Sequence, residues 1–309
     1  MADYSKYENV KVEIEDGIGW VILNRPEKRN AMSPDLHWEM DEIVGQVEGD
    51  PDIKVMVLTG AGESLRVGTT VSDSSGSADG TLFVAGNVSG FRFGNVGTLG
   101  NRSTGNATGD LTVGGTYTGD GAGSGMSIGS VGGSGLANGT AEIAGGISNV
   151  EFMFVGGGGG DGAATGTGTG LLDVLAGGIQ GLGATTFSGL GVGTTNGPGN
   201  GMGTANVTGG IGGFENVRVG QTYNNTSGNA TGILTLIDGN LAADSLYVGV
   251  SEGTGTAAGT LNLNDNLAII TDTMTLGDGS IIQLDIDGFL RGVDYGAIDA
   301  ASAILDGAL

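Results

Sequence analysis

Side chains able to do chemistry are few in this sequence, and their spacing offers little to catalysis. Its 309 residues include no cysteine and one histidine, His37. That removes disulfides, thiolate ligands and cysteine nucleophiles together, and leaves no histidine cluster for a metal. His37 sits beside Trp38 and one position past the apolar Leu36, the setting of a surface or boundary histidine rather than a base. Asp285-Ile286-Asp287-Gly288 offers two carboxylates on one strand face, a spacing that alternation with solvated acids also produces. Gly156-Gly157-x-Gly159-x-Asp161 fits a single copy of a calcium-binding nonapeptide, but such sites need tandem copies, so no metal is expected. Matches to G-x-G-x-x-G abound, yet none follows a strand and opens a helix, as dinucleotide binding requires. Asn106-Ala107-Thr108 and Asn229-Ala230-Thr231 have the form of glycosylation sequons and read better as turn chemistry.

The elements that would hold these residues come from two different vocabularies. Overall the chain carries 11 Lys+Arg against 34 Asp+Glu, a formal net charge of -23 that disfavours nucleic acid as a partner. It holds 67 glycines, only 5% aromatic residues, and 38% hydrophobic residues, too many for plain disorder. Composition changes near residue 64. Residues 1–64 contain 6 glycines, both tryptophans and every lysine, with six basic residues against 14 acids. Residues 65–309 contain the other 61 glycines and set five arginines against 20 acids. The change predicts two domains of unrelated origin, 1–64 and 65–309.

In the first, Val10, Val12 and Ile14 alternate with charged residues, the period of a half-buried strand. Asp16-Gly17 is a hairpin-turn signal, and Ile18–Leu23 returns as the second strand. Ser33-Pro34-Asp35 marks a helix start, with serine as cap, proline in the first turn and an acid for the dipole. Leu36, Met40, Ile43, Val44 and Val47 form its apolar stripe, and Gly49-Asp50-Pro51 stops it. Lys54–Leu58 is expected as a short buried strand. The order is ββαβ, a small α/β fragment.

These residues also carry a resemblance. Val10–Ile18, then Val21-Ile22-Leu23-Asn24-Arg25-Pro26-Glu27-Lys28-Arg29-Asn30-Ala31-Met32-Ser33-Pro34, then Val57-Leu58-Thr59-Gly60-Ala61-Gly62-Glu63, resemble the amino terminus of the crotonase (enoyl-CoA hydratase/isomerase) superfamily, of the hydroxycinnamoyl-CoA hydratase-lyase type. The resemblance covers about a fifth of the chain. It implies a CoA-thioester site, with Lys28 at the loop position that contacts CoA; an ammonium there meets phosphate as a point charge, and a solvated lysine is the competing reading. It also implies an oxyanion loop of Ala-Gly-x-Asp type. Leu65-Arg66-Val67-Gly68-Thr69-Thr70 stands in its place, with Val67 at the oxyanion-loop position, Gly68 the one agreement and Thr70 where the acid belongs. The family's second oxyanion glycine, catalytic carboxylate and trimerisation helices find no counterpart further on. A CoA thioester is therefore expected only if the crotonase reading holds, and catalytic residues are not expected.

From residue 65 the sequence repeats. One segment reads Gly, small, apolar, any, apolar: Gly80–Val84, Gly109–Val113, Gly139–Ile143, Gly170–Val174, Gly203–Val207, Gly232–Leu236 and Gly259–Leu263. Successive copies are 29, 30, 31, 33, 29 and 27 residues apart. Between them falls apolar-x-apolar-Gly, in Leu65–Gly68, Phe91–Gly94, Val217–Gly220, Leu246–Gly249 and Met274–Gly277. Short strands at a period of about thirty residues predict a mainly β fold, a parallel β-solenoid (β-helix) of about seven to eight coils. Glycine would turn the corners and let backbones approach closely. Gly156–Gly160 and Gly162–Gly170 are expected as loops thrown out from the stack.

This part resembles the passenger repeats of autotransporter-like exported surface proteins, with Gly279–Gly288 and Gly292–Tyr295 resembling a closing strand pair. The resemblance implies an adhesin-like structural or interaction role and an unknown surface or cell-envelope ligand. Oligomerisation is not implied. The start, Met1–Lys6, lacks an apolar signal region and no run reaches transmembrane length, so the chain as written is expected in the cytoplasm. The competing function is a CoA-thioester hydratase or lyase. A polysaccharide-active β-helix would need acids and bases aligned across coils, where the repeats here offer Thr, Asn, Ser and Gly.

Overall fold

The computed structural model describes residues 3–28, 30, 33–62, 64–70, 73–159, 165–183, 188–224, 226–286, 290 and 295–306. The chain divides into two compact units, Met1–Ser64 and Leu65–Leu309.

The first unit starts with a hairpin of β1 (Val10–Glu15) and β2 (Ile18–Leu23). Asp16 and Gly17 take φ of 51° and 83°, the paired left-handed conformation of a type I′ turn, which sets Glu15 opposite Ile18. Helix α1 (Pro34–Glu48) follows, capped by the Ser33 hydroxyl, which accepts from the Leu36 amide. β3 (Val55–Gly60) then adds parallel to β2, from Ile18 opposite Val55 to Leu23 opposite Gly60. Val10, Val21, Leu36, Ile43 and Val47 make the core. The Glu39 carboxylate accepts the backbone amides of Asn9 (2.8 Å) and Val10 (3.1 Å), pinning the helix to the start of β1. β3 is a strand but not a buried one: Val55, Met56 and Leu58 are 56%, 41% and 54% exposed. It is the edge of a three-stranded sheet, β1-β2-β3, whose helix packs on Val10 and Val21 instead.

The second unit is a parallel β-solenoid. Each early coil makes three straight runs, as in Ala107–Val113, Tyr117–Gly119 and Gly125–Ile128. The first run joins an 8-stranded sheet; the other two belong to a 13-stranded sheet. From Ile211–Val219 onward the second and third runs fuse into one bent strand, with a register shift between Ile211 and Phe214. The seven glycine-led segments stack in register, Gly80, Gly109, Gly139, Gly170, Gly203, Gly232 and Gly259 lying side by side. Aliphatic columns fill the interior; Val67, Val96, Ile128, Val155, Val192, Val219 and Val248 form one, each buried. Stacked Leu, Val and Ile need few aromatics.

Three sequence expectations are corrected here. Phe91–Gly94 is not a copy of the apolar-x-apolar-Gly corner. The strand is Phe93–Val96 and the left-handed glycine is Gly97, with φ 56°. Phe93 opposes Gly125, so Gly94-Asn95-Val96-Gly97 is the true copy, aligned with Met126-Ser127-Ile128-Gly129. The described parts of the polyglycine stretches are not thrown out either. Gly156 ends Phe152–Val155, Gly158 bridges to Val131 and Thr195, and Thr167–Val174 is a strand of the stack; residues 160–164 lie outside the described residues. A Cβ at Gly168 would strike the carbonyls of Gly157 and Gly129, so these glycines are packed between backbones. The expected closing pair shows one antiparallel bridge, Ile286 to Tyr295, with residues 287–289 and 291–294 undescribed. The stack continues past it, because Ala297–Leu305 pairs parallel with Leu267–Leu276.

Glycine matters most where the third run meets the 8-stranded sheet. At Gly129, φ is 62° and a Cβ would fall on the Thr169 carbonyl; at Gly170, a Cβ would strike the Gly156 amide and the Ile128 carbonyl. Two glycine columns interlock across this narrow edge, and no larger residue fits either.

Candidate functional site

The loop that resembles a CoA contact lies between β2 and α1. Pro26–Lys28 is a short 3-10 turn with Lys28 at its end, exposed. Asn30 shapes this loop. It takes a left-handed φ of 53°, its amide oxygen accepts from the Arg25 backbone amide (2.9 Å), and its amide nitrogen donates to the Ala61 carbonyl (2.7 Å). The side chain thereby ties the loop to the end of β3, which ends in Gly60 because a Cβ there would stand 2.7 Å from the Asn30 nitrogen. Lys28 is left as an exposed positive charge on a braced turn, a geometry suited to a phosphate or to water alike.

The stretch that takes the place of an oxyanion loop belongs to the other unit. Val67 is 4% exposed, its side chain in the solenoid's aliphatic column, and its carbonyl accepts from the Gly97 amide at 2.8 Å. Gly68 has φ 56°, and a Cβ there would fall on the Thr108 carbonyl. Thr70 is buried; its amide donates to the Thr98 carbonyl and its hydroxyl accepts from the Gly100 amide. These backbone groups are engaged in building the first rung. The structure thus places Lys28 and Val67 in separate units.

The remaining candidates disperse. His37 is exposed on α1. Asp285 follows the Ser280–Leu284 strand and is exposed, while Asp287 and Asp161 lie outside the described residues. Among the described residues no group of three or more His, Asp or Glu is placed to hold a metal, and no helix is long and apolar enough to cross a membrane. The sequon asparagines join coils: the Asn106 side-chain oxygen accepts from the Leu136 amide (3.2 Å), and that of Asn229 from the Thr256 amide (2.9 Å).

One constellation escaped the sequence reading. On the outer face of the 13-stranded sheet, Phe93 and Phe152 lie 6.4 Å apart between ring centroids, and Phe152 and Phe154 lie 6.0 Å apart. The Phe152 ring occupies the space a Cβ on Gly125 would need, so the glycine of one strand is roofed by the ring of the next. Further along, Arg218 stands over the rings of Tyr247 (5.5 Å) and Tyr223 (6.0 Å). The available signal was the variable position of apolar-x-apolar-Gly, which turns outward and here becomes Phe154, Arg218 and Tyr247.

Residues 13–82 match the Enoyl-CoA hydratase/isomerase family. The hydroxycinnamoyl-CoA hydratase-lyase of Pseudomonas fluorescens is 56% identical over 68 residues, 22% of this chain and 25% of that protein. The (E)-benzylidenesuccinyl-CoA hydratase of Thauera aromatica is 44% identical over 66 residues, 21% of this chain and 26% of that protein. The short-chain-enoyl-CoA hydratase of Clostridium acetobutylicum is 39% identical over 66 residues, again 21% of this chain and 25% of that protein. The chain spans about a quarter of the length of these curated relatives. No solved structure matches it. The front of the chain is crotonase-like, and the larger second unit is a parallel β-solenoid.

Proposed function

We propose that this chain is a non-catalytic structural or interaction protein, a chimera in which an adhesin-like solenoid continues from an incomplete crotonase amino terminus. The reading places domains at 1–64 and 65–309, takes Lys28 as a solvated loop lysine, and assigns the ligand to a cell-envelope or other surface component. One observation carries it: the residues standing where the family has its oxyanion loop are built into a solenoid rung, with Val67 in the core column and its carbonyl hydrogen-bonded to the next coil. An oxyanion donor must point its N–H at the reacting oxygen; here the Val67 side chain and carbonyl are built into the rung, and the Thr70 amide already donates to the Thr98 carbonyl. The match over residues 13–82 favours a second reading, an enoyl-CoA hydratase-like enzyme acting on a CoA thioester.

Incubation of the full chain with crotonyl-CoA and feruloyl-CoA, followed by thioester absorbance, separates the two. No turnover above the uncatalysed rate is expected. Turnover that disappears on Lys28→Ala would overturn the proposal and restore the enzyme.

A further inference from the structure

We propose that the outer face of the 13-stranded sheet around Arg218 binds a carboxylate-bearing polysaccharide, with sugar rings stacked on Phe152 and Phe154 and a sugar carboxylate held by the guanidinium. The inference deepens the interaction role proposed for the solenoid and rests on it.

The first observation is the state of Arg218. Its side chain makes no ion pair and no hydrogen bond among the described residues; its partners are the faces of Tyr223 and Tyr247. The solenoid sets five arginines against 20 acids, so an arginine there would readily find a carboxylate if its place served only to neutralise charge. Instead two rings from different coils bracket it and reduce its freedom, while its planar fork of N–H donors stays unsatisfied. Such a fork matches a carboxylate in bidentate fashion.

The second observation is what lies beside it. Phe154, Gly191, Arg218 and Tyr247 occupy one outward row on four successive strands, and Phe152, Gly189 and Asn216 occupy the next row. The two glycines are buried, Gly191 beneath the Phe154 ring and Gly189 beneath the Arg218 side chain, so the phenylalanine pair and the arginine close over the strand between them. Phe154 and Arg218 are two strands apart, about 10 Å at ordinary strand spacing. A Cβ on Gly189 would stand 3.2 Å from an Arg218 terminal nitrogen, and one on Gly191 would stand 3.0 Å from the Phe154 ring. Any larger residue at either position would push the guanidinium or the Phe154 ring out of place. The result is an apolar platform beside a half-buried guanidinium that makes no ion pair among the described residues, on one regular face.

The charge of the whole chain narrows the ligand. At -23 it repels densely charged polyanions, which argues against nucleic acid. Relative to a nucleic-acid duplex, a chain of carboxylated sugars carries its charges farther apart, and it presents broad C–H faces to aromatic rings, matching both parts of the strip.

The test titrates the full chain calorimetrically with β-1,4-linked oligomannuronate, and in parallel with the neutral mannose oligomer of equal length and linkage, so that the carboxylate is the sole difference. Expected results are binding of the acidic oligomer, weaker binding of the neutral one by about tenfold or more, and weakening of the acidic one at high ionic strength. Arg218→Gln should lose about the same tenfold, and Phe154→Ala should weaken both oligomers. Arg102→Gln, whose arginine pairs with Asp73 elsewhere on the solenoid, should change neither. Denaturation midpoints check that the variants fold; should Arg218→Gln fail, Arg218→Lys keeps the charge, loses the fork and should still weaken the acidic oligomer. Absence of acidic-oligomer binding, equal binding of the neutral oligomer, or indifference to both Arg218 variants would overturn the site. Thioester turnover would remove the non-catalytic reading without altering any of these titrations, so the two failures remain distinct.

Discussion

Replacing Gly129 by alanine tests the claim that interlocked glycine columns close the solenoid. The geometry imposes two costs. Gly129 has φ 62°, a conformation that an L-residue adopts at a cost of about 1–2 kcal/mol. Its Cβ would also land on the Thr169 carbonyl and close to the Gly170 amide, so one backbone segment must retreat. Overpacking of this kind costs about 1–3 kcal/mol. The expected destabilisation is therefore about 2–5 kcal/mol, a large part of a typical domain's stability. Gly86→Ala is the matched control, since nothing lies within 4 Å of a Cβ there and its φ is not left-handed. Gly170→Ala isolates the steric part, because Gly170 lacks a positive φ but its Cβ would strike the Gly156 amide and the Ile128 carbonyl. Urea denaturation followed by circular dichroism should order the midpoints as Gly129→Ala lowest, Gly170→Ala next and Gly86→Ala near the parent. If Gly129→Ala unfolded with Gly86→Ala, the columns would not be what holds this edge.

Other consequences are as direct. Tyr117 is fully buried and its hydroxyl has no hydrogen-bond partner among the described residues, so Tyr117→Phe should stabilise the fold by about 1 kcal/mol in denaturation, while Gly94→Ala, whose Cβ would stand 2.5 Å from that oxygen, should destabilise it and be partly rescued in the double variant. Burial pushes the Tyr117 phenol up to about 12 from an ordinary 10, with Asp120 adding to the shift. The neutral phenol is thus favoured by folding: its stabilisation is full below pH 10 and is lost as pH rises through about 12, so alkaline unfolding should move upward in Tyr117→Phe, read by tyrosinate absorbance. In α1, Gly45→Ala meets nothing within 4 Å and should stabilise the first unit by about 1 kcal/mol in thermal unfolding. An unchanged or lowered transition for Gly45→Ala would mean that α1 is not the continuous helix described.

Legibility in the sequence depended on how local each cause was. The Asp16-Gly17 turn and the Ser33 cap depend on a few adjacent residues, and both stand where their signals placed them. The glycine-led segments from Gly80 to Gly259 were legible because each copy repeats the same alternation, and stacking in register preserves it. Phe91–Gly94 misled because its pattern matches the corner while the corner itself is set three residues later. Gly97 takes the left-handed φ, and the Asn138 carbonyl of a later coil stands where a side chain would be, so the corner needs its glycine there. For β3 the apolar run suggested burial, but burial depends on what covers a strand, and in this sheet β3 is an edge.

By itself the sequence determined the strand period, the coil spacing, the change of vocabulary near residue 64 and the crotonase-like character of its front, since each is written in neighbouring residues or in their recurrence. The tertiary structure decided which glycines are irreplaceable and which outward residues meet. Arg218 faces tyrosines instead of carboxylates because Tyr223 and Tyr247 come to it from the following corner and the following coil. The role of Val67 was decided in the same way, by a neighbour 30 residues ahead whose amide takes its carbonyl. Contacts between coils depend on the backbone path, and no reading of one coil alone contains them.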